Sequence, residues 1–284
     1  MTEATEQRLP LARRIAEAYA ADANARVVMI AGSVGRGSAD RYSDVEIDVY
    51  YDAAPTLADR AAAVERAGAT LEQLAQDEDE WEEQMLVDGL HVHTSTFLVT
   101  TMERYLREVV DECATRLDAQ SRLFSLQHGV TVKGEAQVEH WRTRADAYPE
   151  GLRHAMLAES LSFDRFRYAA EMLAARDDLL LLYDVFVDVG RRILGALLAV
   201  NRIYAPSPVY LKSMDETIAL MPIAPGDLAR RLKQAFRIDP PAAVADLDAL
   251  VEETFELVEM HVPGLDRALY RGRPPTQRRP WPPA

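Results

Sequence analysis

The sequence predicts an N-terminal α/β unit, a mixed sheet with flanking helices, followed by an all-α helical region. Three observations carry this reading. Between residues 26 and 98, short apolar or alternating runs are separated by glycine-containing turns, the pattern of strands. Asp88-Gly89 lies between two of those runs, a hairpin signal because the turn needs φ > 0 at both positions. From about Met102 onward the pattern is almost entirely helical.

Taken in order, Leu11, Ile15 and Tyr19 share one helical face over residues 9–20. Arg26–Ala31 is a short apolar run ending at Gly32 and reads as a buried strand, followed by a Gly-rich turn. In Val45–Tyr51, Val45, Ile47 and Val49 point one way, and Glu46, Asp48 and Tyr50 the other. A helix is expected from Leu57 to Ala75, ending in the acidic run 77–80, read as a solvated loop or helix end. Glu82–Val87 and Leu90–Leu98 form the hairpin. Long helices are then expected over Leu152–Arg176 and Leu179–Asn201, a break at Pro206 and Pro208, shorter helices over Leu211–Leu220 and Pro225–Phe236, and a last amphipathic helix over Ala242–His261. The expected organisation is residues 1–110 as the α/β domain, 111–270 as the helical domain and 271–284 as a Pro/Arg-rich, extended tail.

Of the 284 residues, 48% are hydrophobic, enough to bury a core. The formal net charge of −14 repels phosphate backbones, so a nucleic-acid polymer is disfavoured as partner and a small cationic molecule is favoured. Cys113 is the sole cysteine, which excludes an intramolecular disulfide and a thiolate metal cluster. The first residues lack the pattern of a secretory signal, and the apolar runs around 179–183 and 194–200 fall short of a bilayer span. The expectation is a cytoplasmic protein with no membrane partner.

The chemistry concentrates in residues 31–49. A strand running into Gly32-Ser33, then a turn through Gly35 and Gly37, exposes backbone N–H groups that, with the Ser33 hydroxyl, suit an anion such as a triphosphate. Arg36 adds a charge suited to phosphate oxygens. Asp44 and Glu46, at i and i+2, share a strand face, and paired carboxylates are stable together when a hard cation lies between them.

This segment resembles the nucleotidyltransferase signature of the polymerase β superfamily, Gly-Ser followed by Asp-x-Asp/Glu. It is most similar to the antibiotic-modifying branch, the kanamycin and aminoglycoside nucleotidyltransferases. There the wording is Gly-Ser-x-Gly-Arg and Tyr-Ser-Asp-x-Glu, here Gly32-Ser33-Val34-Gly35-Arg36 and Tyr42-Ser43-Asp44-Val45-Glu46. The resemblance implies a metal-dependent enzyme with ATP (or another nucleoside triphosphate) and Mg²⁺ (or Mn²⁺) as cofactors. Such an enzyme transfers a nucleoside monophosphate to a hydroxyl of a small-molecule acceptor, aminoglycoside-like and cationic, and releases pyrophosphate. It implies Gly32, Ser33, Arg36, Ser43 and Lys212 around the nucleotide, and a homodimer among the assemblies of its relatives.

The chain departs from that pattern twice. His93 takes the place of the family's third carboxylate; histidine suits Mn²⁺ better than Mg²⁺, or serves as a general base. Asp48 is read as a further ligand beside Asp44 and Glu46 or a hydrogen-bond partner of His93, or else as an acid deeper in the sheet paired with an arginine. Where the family has a catalytic glutamate on a C-domain helix, this chain has Arg167. Asp164 and Glu171, at i−3 and i+4, are the candidates in its stead. The alternative function is a catalytically degenerate nucleotide-binding regulator on the same fold.

Overall fold

The structure, a computed structural model, describes residues 1–77 and 80–265. The chain divides into two compact units: Met1–Glu112 with Ala119–Ala147, and Cys113–Asp118 with Tyr148 onward.

The first unit runs α1 (Glu3–Ala20), β1 (Ala25–Ile30), α2 (Gly32–Arg36), β2 (Val45–Tyr51), α3 (Leu57–Ala67), β3 (Thr70–Asp77), β4 (Glu80–Val87), β5 (Leu90–Leu98) and α4 (Val99–Leu106). A π turn over Arg107–Asp111 follows, then α5 (Leu117–His128), β6 (Val130–Lys133) and α6 (Glu135–Ala145). The strands form one mixed sheet in the order β3-β4-β5-β2-β1-β6. β2 and β5 are parallel and the other pairings antiparallel. Asp88 and Gly89 both have positive φ, as the hairpin between β4 and β5 requires.

The two faces of β2 set the plan. Val45, Ile47, Val49 and Tyr51 join Ile15 and Tyr19 of α1 and Ala63 and Ala67 of α3 in the main core. On the opposite face Asp48 meets Ser125 of α5, and Tyr50 stacks on Phe97 of β5 and meets Trp141 of α6 edge-on. Such aromatic pairs contribute about 0.5–1.5 kcal/mol each beyond their buried area. That face therefore grades from polar at the start of β2 to aromatic at its end.

The second unit is helical: α7 (Glu150–Ser160), α8 (Asp164–Ala175), α9 (Leu179–Asn201), α10 (Met214–Ala219), α11 (Leu228–Gln234) and α12 (Pro240–His261). From Ile193 to Val200 every residue of α9 is buried, so α9 is the centre on which α7, α8 and α12 pack. No helix among the described residues is long and apolar enough to cross a membrane.

Several elements differ from expectation. The helix expected to reach Ala75 stops at Ala67, where Gly68 adopts a left-handed φ of +66° and closes the last turn. Residues 70–77 form edge strand β3, whose Leu71 and Leu74 remain 40% and 45% exposed; pairing with β4 outweighs their helix-like spacing. Of the acidic run, Asp77 closes β3 and Glu80 opens β4. β6 interrupts the helical stretch because its four residues complete the far sheet edge against β1. The expected 152–176 helix breaks at residues 161–163, where Phe163 leaves helical geometry and packs edge-on against Phe255 of α12. The Gly-rich turn contains a short helix, α2. The expected tail, 271–284, lies outside the described residues.

Candidate active site

The site is built where β1 leaves the sheet. The Ala31 N–H donates to the Glu46 carbonyl (2.9 Å), and the chain turns through α2, closed by Gly37 at a φ of +78°. The loop that follows is held from α1. Thr2 Oγ1 donates to the Ala39 carbonyl (2.6 Å), and the buried Arg8 guanidinium donates to the carbonyls of Ser43 (2.9 Å) and Arg41 (3.2 Å). Asp40 accepts from the Tyr42 N–H (2.8 Å) and from the Ser43 hydroxyl (3.0 Å), which together hold its carboxyl below the usual carboxylate range. Ser43 thus spends its hydroxyl closing the loop that delivers Asp44.

Asp44 precedes β2 and Glu46 is its second residue. The parallel register sets Glu46 beside His93 of β5. His93 Nε2 stands 3.5 Å from Asp44 Oδ2, each side chain 39% exposed. Gly32 has a φ of +58°, and a Cβ built on it would lie 2.5 Å from the Glu46 Cδ and 2.7 and 2.8 Å from its oxygens. The glycine is required on both counts: the conformation is left-handed, and the Glu46 carboxylate occupies the space a side chain would need. Backbone turn, two carboxylates and an imidazole are therefore brought to one end of β2.

Asp48 is employed differently. It is 3% exposed, accepts from Ser125 Oγ (2.8 Å) and lies 3.6 Å from Arg122. Arg122 also bonds Glu80 (2.5 Å) and covers the Phe97 ring with its guanidinium carbon 4.5 Å from the centroid. Burial pushes the Asp48 carboxyl up, against the pull of Arg122 and Ser125. Of the readings of Asp48, the arginine-paired one describes this geometry. Among the described residues no group of three or more His, Cys, Asp or Glu is arranged to hold a metal ion. A magnesium ion bound jointly by carboxylates and phosphates needs only one or two protein carboxylates, and the pair Asp44 and Glu46 fits that demand.

Ser33 and Arg36 lie on α2, with the Arg36 guanidinium carbon 5.8 Å from the centroid of the Phe124 ring on α5. Asp164 and Glu171 are exposed on α8, and Lys212 is exposed between α9 and α10, all in the second unit. Arg167 pairs with Glu252 and lies over Phe255, so it belongs to the packing of α8 on α12. Sequence reasoning missed Arg8 and Arg122. Both are arginines at helix positions, and nothing local in the sequence marks them as bound to a loop or to a strand.

The profile of a domain of unknown function, DUF4037, matches residues 117–211. No curated protein matches the sequence. Among solved structures, that of a nucleotidyltransferase-like protein from Exiguobacterium sibiricum 255-15 is similar at 12% identity and a TM-score of 0.40, covering 89% of this chain and 77% of that one. No residue role is carried across from it.

Proposed function

We propose that the protein is a nucleotidyltransferase that moves a nucleoside monophosphate, AMP from ATP, onto a hydroxyl of a small molecule and releases pyrophosphate. The observation that carries the reading is the packing of the Glu46 carboxylate against the Gly32 backbone, with Asp44 and His93 beside it. Asp44 and Glu46 are the residues that would hold Mg²⁺, which when bound neutralises charge on the phosphates. The backbone of the Gly32–Gly37 turn and Arg36 orient the triphosphate. The acceptor oxygen forms a bond to the α-phosphorus as the bond to the β-phosphate oxygen breaks, and pyrophosphate leaves. The acceptor's proton goes to a base, a role this reading assigns to the half-exposed His93, 3.5 Å from Asp44. An aminoglycoside-like acceptor is supported by the signature wording at 32–36 and 42–46 and by the net charge of −14.

The test is pyrophosphate release with each nucleoside triphosphate, Mg²⁺ or Mn²⁺, and a panel of amino-sugar acceptors. Asp44→Asn is expected to abolish acceptor-dependent release while leaving the melting temperature close to wild type. Wild-type turnover in that variant would refute the reading. The second reading, a nucleotide-binding regulator, is favoured by His93 standing where the resemblance expects a third acid. It predicts ATP binding with no release under either metal.

A further inference from the structure

The helical unit contains a cleft of about 350 Å³, away from the signature residues in sequence and built wholly from second-unit residues. Its walls are the end of α7 (Glu159, Ser160), one face of α9 (Asp188, Arg191, Arg192) and the 208–210 segment of the following loop, with Leu117 on the rim. The position of two wall groups has a specific origin. A Cβ on Gly195 would lie 2.5 Å from Ser160 Oγ and 3.3–3.4 Å from the Tyr210 ring, so a glycine on α9 lets both approach the helix.

The polar groups facing the cleft are unequally used. Arg192 is committed: it donates to Asp188 (2.9 Å) and to the Glu159 carbonyl (3.0 Å). Glu159 accepts from Thr115 through one carboxylate oxygen (2.5 Å), leaving the other. The Ser160 hydroxyl lines the cleft and has no hydrogen-bond partner among the described residues. The Tyr210 hydroxyl and the exposed Arg191 guanidinium have none either. These three groups line the cleft, so their donors are open to a ligand that enters it. Burial pushes the Tyr210 phenol up to about 12, with Glu159 contributing, so it remains a neutral donor at physiological pH.

The charges select the ligand. Glu159 and Asp188 oppose Arg191 and Arg192, so the formal charge of the lining cancels. A simple anion would meet the two carboxylates and a simple cation the two guanidiniums. A molecule carrying both charges a few ångströms apart satisfies each: its carboxylate takes Arg191, Ser160 and Tyr210 as donors, and its ammonium takes Glu159. We propose that this cleft binds a small zwitterion of the amino-acid type.

The proposal is independent of the transferase reading and is tested without turnover. Thermal melts of the full chain, followed by isothermal titration, are run with free α-amino acids, with carboxylates lacking an amine (acetate, succinate), and with amines lacking a carboxylate (ethanolamine, putrescine). At least one amino acid at 10 mM, roughly a hundred times a dissociation constant of about 0.1 mM, should raise the melting temperature. Neither half-molecule class should do so. Arg191→Ala, at an exposed position, should keep the unliganded melting temperature and weaken the amino acid at least about tenfold, and Ser160→Ala should weaken it several-fold. No stabilisation by any amino acid, equal stabilisation by the half-molecules, or undiminished affinity in Arg191→Ala would each overturn the proposal.

Discussion

Replacing Gly32 by alanine tests the site at its tightest point. The residue sits at a φ of +58°, where an L side chain is strained by about 1–2 kcal/mol. The new methyl would lie 2.5 Å from the Glu46 Cδ, and contacts below 3.0 Å are not tolerated, so one group moves. The far end of a glutamate moves more cheaply than the backbone of a strand and its turn, so the carboxylate swings away by about 1 Å. The stability loss is then only the backbone strain, about 1–2 kcal/mol, which lowers the melting temperature by about 2–8 °C for a unit of this size. The catalytic loss is much larger, because a 1 Å misplacement of a positioning group costs about 100-fold in rate. The assay pairs calorimetry with pyrophosphate release at saturating ATP. A small melting shift with kcat down about 100-fold is the expected result. Gly32→Ala turning over at the wild-type rate would refute the claim that the Glu46 carboxylate must stay where the glycine leaves it.

Three further outcomes follow from the geometry. His93→Asn should lower kcat about 100-fold with little change in KM, as loss of a general base does, and an unchanged rate would remove His93 from the chemistry. Arg8→Ala releases the carbonyls of Ser43 and Arg41, so kcat should fall about tenfold, and Arg8→Lys should not restore it because one ammonium cannot hold both carbonyls in the same fork; full rescue by lysine would show a charge effect instead. Arg60→Met strands Glu83, which is fully buried in an ion pair with Arg60, and should cost about 3–5 kcal/mol in urea denaturation at pH 7. Burial already raises the Glu83 carboxyl, so in that variant the folded state holds its proton more tightly than the unfolded chain. Stability should therefore recover as pH falls from 7 towards 5, and a deficit independent of pH would contradict the assignment.

The parts of the fold that local chemistry decides were readable in the sequence. The Asp88-Gly89 hairpin needs two left-handed residues and has them, and the alternation of β2 appears as two faces of different chemistry, one in the apolar core and one carrying Glu46, Asp48 and Tyr50. The carboxylate pair of the candidate site follows from that same alternation. What escaped was decided by long-range pairing. Leu71 and Leu74 carry helical spacing, but an open edge on β4 takes them as a strand. Val130–Lys133 is four residues long and becomes β6 only because β1 offers an edge. Arg122 lies 74 residues from Asp48 and 42 from Glu80 along the chain, and neither separation leaves a mark that spacing rules detect.

The three acids at alternate positions 44, 46 and 48, at and just before β2, therefore have two fates, and electrostatics explains the division. Two like charges about 4 Å apart repel by about 4 kcal/mol at an effective dielectric near 20, and by more where water is excluded. Asp44 and Glu46 stand at the open start of the strand, where solvent screens their charges. Asp48 lies beneath α5, where solvent does not reach, so it needs a fixed cation. Arg122 supplies it and reaches on to Glu80; burial lowers its guanidinium pKa, and the two carboxylates more than offset that. The same residue spacing thus leaves two acids at the strand's open start and one permanently paired with Arg122 behind them. Under the proposed function, an Asp48 already paired with Arg122 would not compete with Asp44 and Glu46 for a metal ion.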